Sequence, residues 1–227
     1  MKIVKIHGGL GNQMFEYAFA RSLASEAGSE VFLDIQTDGP EQAHKGYELG
    51  RLYDVSLPLA KKAEVERLAV MPTTTLNRLR RKYLTKRTHF IDRKYRYQGE
   101  LFARQGDAYY EGYWQSEKYF ARVETELRRE FTFRPKLDEE NLALLDALPL
   151  PRASVHVRRD DYAGHANLDI CTAEYYGRAI RAMREGGTAS FAVFSDDIDY
   201  CRKTLDFGGS EASFIDRNQG NRSWQDM

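Results

Sequence analysis

The sequence predicts an α/β protein built on parallel sheets, and three observations predict it. KIVKIH at 2–7 is an alternating, β-branched run, GGLGN follows at 8–12, and a helical pattern from Gln13 to about Ala27 leads into EVFLDI at 30–35. Strand, glycine turn, helix and strand in that order open a βαβ unit, whose strands are parallel. PLPR at 149–152 then punctuates the chain, and a second strand-and-helix series begins after it. The composition completes the case. Hydrophobic residues make up 42% and charged residues 30% of 227, which suits a folded chain with a sizeable core and a charged surface.

Each element has its own reason. In the first helix Met14, Tyr17, Ala18, Arg21 and Leu23 recur at the spacing of one helical face. Residues 36–60 hold Gly39-Pro40, Gly46, Gly50 and Pro58 and read as loop, and helical patterns return at 61–70 and 76–85. DAYYEGYW at 107–114 reads as a strand. SEKYFARVETELRREF at 116–131 reads as one helix, with Ser116 as N-cap and Glu117 in the first turn. DEENLALLDAL at 138–148 is a further helix. Beyond the break, strands are expected at 152–157, 190–195 and 212–216, and helices at 172–185 and 197–205. The predicted boundary lies near residue 150, giving domains 1–150 and 151–227. With only three strand candidates, the second reads as a partial domain.

Charge and composition exclude several classes. Lys plus Arg and Asp plus Glu are 34 each, a balance unsuited to a dedicated nucleic-acid binder. No apolar run approaches the roughly 20 residues of a membrane span, and the opening residues lack the pattern of a signal peptide. Two cysteines, Cys171 and Cys201, are too few for a disulfide framework or a zinc site, and both are expected to be buried small residues. The expected location is cytoplasmic. Between Arg78 and Arg96 stand nine Lys or Arg with Tyr83, Phe90, Tyr95 and Tyr97 interleaved. That stretch reads first as a solvated face, and second as a peripheral contact with anionic lipid on the inner face of a membrane.

Three constellations can carry chemistry. Glycines between a strand and a helix, as in GGLGN, let backbone N–H groups approach an anion at the helix start. The dinucleotide fingerprint fails, because Met14 occupies the place of its third glycine. HVRRDD at 156–161 sits at a strand end, where open α/β sheets bind ligands. Arg158 and Arg159 there suit a diphosphate, and His156 a base or sugar. FSDDID at 194–199 is again at a strand end. Asp196 or Asp197 can accept hydrogen bonds from a guanine edge or a ribose. Asp197-Ile198-Asp199 also has the D-x-D form of a divalent-cation site, while Ser195 and Asp196 are candidates to cap the next helix.

IHGGLGNQMFEYAFAR (6–21), EGYWQSEKYF (111–120), VHVRRDDY (155–162) and FAVFSDD (191–197), in that order, resemble the bacterial α-1,2-fucosyltransferases of glycosyltransferase family 11. The resemblance implies a GT-B architecture of two facing Rossmann-like domains, the first on the acceptor side and the second binding GDP-fucose. The donor domain reads as incomplete, because a helix and an S-x-S-x-W segment that the family carries next lie beyond Met227. The resemblance also implies inverting transfer of L-fucose from GDP-β-L-fucose to the 2-hydroxyl of a galactoside in surface-glycan synthesis. The family's H-x-R-R-x-D element falls on His156, Arg158, Arg159 and Asp161, and it implies that Arg158 holds the donor β-phosphate. His156, Asp196 and Asp197 would approach the guanosine, and Gly11, Asn12 and Gln13 the sugar and acceptor. Two arginines at the diphosphate can do the work of a metal, so no metal or other cofactor is expected. A carboxylate should deprotonate the acceptor hydroxyl, with Asp161 the guess. One departure stands out: Asp160 replaces the glycine usual in the family's motif. The rival readings are a truncated, non-catalytic fucosyltransferase-like protein and a metal-dependent sugar-nucleotide transferase using the D-x-D.

Overall fold

A computed structural model describes residues 1–26, 30–36, 46–70, 77, 86–159, 162–165 and 169–227. In it β1 (Lys2–Lys5) is buried along its whole length. It pairs in parallel with β2 (Val31–Asp34) on one side and β4 (Ala108–Glu111) on the other. β3 (His89–Ile91) completes a sheet of order β2-β1-β4-β3, every pair parallel. The β1–β2 crossover is α1 (Leu10–Ser25). It starts earlier than its periodicity predicts, so Leu10, Gly11 and Asn12 are already helical and the turn is Gly8-Gly9 alone. Gly8 has φ +72°, and a Cβ there would meet the Asn12 amide nitrogen at 2.9 Å. Glycine is therefore required at this position. β3 went unpredicted because three residues inside a basic stretch show no period.

Two short helices, α2 (Leu49–Leu52) and α3 (Lys62–Leu68), lie among the connections. The helix predicted at 76–85 falls outside the described residues apart from Asn77. α3 sets Val65, Leu68 and Ala69 against Ile3 and Tyr109 on one face of the sheet. Phe19 of α1 forms the centre of an aromatic group, stacked on Trp114 at 4.4 Å and edge-on to Tyr119 at 5.3 Å and Tyr110 at 5.4 Å. Each such pair adds about 0.5–1.5 kcal/mol beyond its burial.

That aromatic group also breaks the predicted 116–131 helix. The segment runs as 3₁₀ turns at Glu117–Tyr119 and Ala121–Val123 before α4 (Glu124–Glu130), and Ser116 makes no side-chain cap. Tyr119 is drawn under Trp114, and its hydroxyl donates to the Arg96 carbonyl at 3.1 Å and accepts from the Gln98 N–H at 2.9 Å. Tertiary packing outweighs helix propensity here.

The second compact unit holds α5 (Glu139–Ala147), β5 (Arg152–Val157), α6 (Ala173–Glu185), β6 (Ser190–Ser195), α7 (Ile198–Thr204) and β7 (Glu211–Ile215). Its sheet has order β5-β6-β7, all parallel. Asp138, Thr172 and Asp197 cap α5, α6 and α7, each accepting a backbone N–H three residues on. Val157, Ile180, Phe191, Val193, Cys201, Leu205 and Phe207 make the core. Cys201 is buried as expected, whereas Cys171 is exposed.

The chain divides into compact units at Lys136/Leu137, earlier than the predicted 150. The reason lies in α5. Asn141 is buried and exchanges two 3.0 Å hydrogen bonds with the Asn218 amide, and Gln225 donates to Asp138 at 3.1 Å. These long-range amide contacts tie α5 to the second unit.

Candidate functional site

In each unit the chemistry gathers where the first strand of a parallel sheet runs out. In the second unit that is the end of β5. Val157 faces the core while His156 is exposed on the opposite face, as the period of two requires. Arg158 is exposed, with its guanidinium 4.5 Å over the Tyr162 ring. Arg159 is engaged within the protein. Its N–H donates to Asp196 Oδ1 at 2.7 Å, its guanidinium lies 4.0 Å over the Tyr200 ring, and it stands 4.0 Å from carboxylate oxygens of both Asp169 and Asp197. Adjacent in sequence, the two arginines face different surroundings: Arg159 ties the β5 end to the β6 end, and Arg158 points outward.

The acids of FSDD separate in the same way. Asp197, and not Asp196, is the helix cap, with Oδ1 accepting the Tyr200 N–H at 3.0 Å. Ser195 Oγ accepts the Asp197 N–H at 2.9 Å. Asp197, expected on the donor, caps α7 and stands 4.0 Å from the Arg159 guanidinium with its side chain half exposed. Asp196 lines a cavity of about 550 Å³ together with Ser154, His156, Phe194, Ser195 and a C-terminal segment. That volume suits a small-molecule ligand. The segment supplies Asn218, Gln219 and Asp226. Burial pushes the Asp226 carboxyl above its ordinary range, opposed by the Asn218 hydrogen bond and the His156 charge. Nothing in the sequence marked these three, since they approach β5 from more than sixty residues away. Asp161 lies outside the described residues.

In the first unit the corresponding place is the Gly8-Gly9 turn. Gln13 was expected to face an acceptor. It is buried, and its amide donates to the Gly8 carbonyl at 2.9 Å and the Gly46 carbonyl at 2.7 Å while accepting the Glu48 N–H at 2.9 Å. Its polar capacity is taken up in holding the turn. Gly11 is exposed, with nothing within 4 Å of where a Cβ would stand. Asn12 accepts from Gln115 Nε2 at 2.8 Å. His7, which the motif reading passed over, has Nδ1 2.5 Å from Oε1 of the buried Glu16 and stacks on Tyr113. Tyr113 and Gln115 in turn line a small cleft with Asp92, Tyr95 and Tyr97.

Of the basic stretch, residues 78 and 80–82 lie outside the described residues. Lys86 is turned onto the end of α3, donating to the Arg67 carbonyl at 2.9 Å. Among the described residues no helix is long and apolar enough to cross a membrane.

The family model described as Glycosyl transferase family 11 matches residues 1–227. An α-1,2-colitosyltransferase of Escherichia coli is 28% identical, over 99% of this chain and 79% of its own length. The mouse galactoside 2-α-L-fucosyltransferase Sec1 is 26% identical over 94% of this chain, which spans 54% of that relative. Among solved structures, the NodZ α-1,6-fucosyltransferase from a crystal soaked with GDP-fucose superposes with a TM-score of 0.52 at 12% identity. The match covers 99% of this chain and 79% of that one. At that identity the superposition establishes the fold: parallel α/β units of the Rossmann-like, GT-B kind.

Proposed function

The chain belongs to glycosyltransferase family 11, and from that premise we propose that it transfers L-fucose from GDP-β-L-fucose to the 2-hydroxyl of a galactoside, with inversion at the sugar carbon. The observation that carries this reading is the end of β5, where the exposed His156 lines a ligand-sized cavity and the exposed Arg158 follows two residues on. Cleaving the sugar–phosphate bond leaves negative charge on the β-phosphate. A guanidinium already oriented there stabilises the transition state more than the ground state. Arg158 takes that role. His156 and Asp196, on the cavity wall, meet the guanosine, with Asp226 beside them. Arg159 is a positioning residue, because its contacts hold the strand ends together. Asp197 supports α7. In this reading the cation at the diphosphate is an arginine, so turnover requires no metal.

The test is Arg158→Ala, assayed with GDP-fucose and a β-galactoside. Losing one preorganised donor of this kind costs about 10²–10³ in turnover. Arg158→Lys should recover part of it, since lysine restores the charge without the bidentate fork. Wild-type turnover should survive a chelator. Unchanged kcat/KM in Arg158→Ala, or loss of turnover with chelator, would refute the assignment.

A second donor has a specific observation in its favour, because the E. coli colitosyltransferase covers nearly the whole chain at 28% identity. Colitose and fucose nucleotides offered together, with the two products counted, decide between them. Peripheral contact with anionic membrane through 78–96 belongs to the same proposal and is tested by co-sedimentation with phosphatidylserine vesicles.

A further inference from the structure

Glu16 lies in the second turn of α1 and is fully buried. A carboxylate there is costly unless it is paired. Both of its oxygens face one residue. Oε2 accepts the His7 N–H at 2.8 Å, and Oε1 stands 2.5 Å from His7 Nδ1. Lys5 adds a favourable charge and is itself bridged at 3.3 Å to Glu111, which also holds His89 at 2.9 Å. On its far side the His7 ring is fixed against Tyr113, with centroids 4.9 Å apart and planes at 11°. The imidazole is therefore held on two sides, and its side chain keeps 11% exposure. Nδ1 and Oε1 lie in close contact but out of line for a hydrogen bond, so the one hydrogen bond between the two residues is from the His7 backbone N–H.

Holding a glycine turn does not need a buried carboxylate. Gln13, three residues earlier on α1, does it with an amide. A carboxyl beside an imidazole does something an amide cannot: it orients the ring and can balance the charge the ring gains when it takes up a proton. The surroundings fit a reacting site. Tyr113 touches His7, and Gln115 touches Asn12. Both line the cleft with Asp92, Tyr95 and Tyr97. Tyr95 and Trp114, on the same wall, have φ of +49° and +52°. Such strain in non-glycine residues collects at functional sites.

We propose that His7 is the general base of the transfer reaction, with Glu16 as its positioning residue and the Tyr113–Gln115 loop as the wall against which the acceptor sugar rests. This rests on the reaction proposed above. In the step, His7 Nε2 takes the proton of the acceptor hydroxyl, and the oxygen's electron pair forms the bond to the sugar carbon. The bond from that carbon to the β-phosphate oxygen breaks, and its electron pair leaves with GDP. The proton remains on the imidazolium, opposite Glu16, until solvent removes it.

The experiment compares wild type, His7→Gln and Glu16→Gln for kcat, for acceptor KM and for GDP affinity by calorimetry. His7→Gln is expected to lower kcat about 10²–10⁴-fold, the range for one general base, with GDP affinity unchanged. Glu16→Gln is expected to fold and to lower kcat by less, with acceptor KM and GDP affinity unchanged, because the imidazole loses the group that orients it. A purely structural role would worsen KM and GDP affinity together with kcat. Wild-type turnover combined with an unchanged kcat in His7→Gln, or a Glu16→Gln whose kcat is unchanged or whose KM and GDP affinity worsen with it, overturns the base and leaves the function standing. A wild type that binds GDP but transfers neither fucose nor colitose overturns the function, and the base with it.

Discussion

The two strand ends solve the same problem in opposite ways. At the end of β1 the polar groups are withdrawn from water: Gln13 and Glu16 are buried and bonded to the turn they support. At the end of β5 His156 and Arg158 stay exposed, while Arg159 is held by Asp196 and the Tyr200 ring. A parallel sheet offers the same opening at both places. What differs is dielectric. A buried carboxyl is governed by its few immediate neighbours in a low dielectric, whereas an exposed guanidinium is screened by water.

That contrast can be broken by experiment, and the largest expected effect is on pH dependence. Burial lifts the Glu16 carboxyl from 4.5 to about 7, against the opposing pull of His7 and Lys5. Between those values the folded protein keeps a proton that the unfolded chain has released. Stability therefore falls as pH rises through this window, and the loss is complete above about 7. At about 1.4 kcal/mol per pH unit, the wild type should lose about 3 kcal/mol relative to Glu16→Gln between pH 4.5 and 8. Urea titrations of both proteins at the two pH values measure it, and parallel curves would mean that Glu16 is not desolvated.

Next is Gln13→Ala, which leaves two carbonyls and one N–H at the turn without their partner. The cost should be about 2 kcal/mol, read from the urea midpoint at unchanged slope. The smallest is its counterpart in the second unit, Asp197→Ala. It removes the cap of α7 at a solvated position and should cost about 1 kcal/mol, with Asp197→Asn restoring most of it. If the exposed cap proved the more expensive of the two, the contrast in dielectric would be mistaken.

Legibility in the sequence followed the range of the interactions. β5 and β6 were predicted to the residue, because alternation within a strand is local. His156 to Arg159 of the first motif, and FSDD, lie at strand ends as read, for the same reason. Residue types alone could not divide the labour between Arg158 and Arg159, or between Asp196 and Asp197. Those distinctions arise from Tyr200, Asp169 and the α7 N-terminus, which only folding brings near. His7 was passed over because it sits one residue before a conspicuous glycine run, and its partner Glu16 looks like an ordinary polar position on a helix.

Sequence by itself determined the α/β class, the parallel strands, the glycine turn that Gly8 requires and the resemblance to a glycosyltransferase family, since these rest on local period, local sterics and motif order. Tertiary structure alone decided where the compact units divide, that the 116–131 segment breaks under its aromatic group, and which of the polar residues are buried. Burial is the physical reason. Whether a carboxylate, an amide or a guanidinium acts on a ligand or on its own fold depends on what surrounds it, and most of those neighbours stand tens of residues away along the chain.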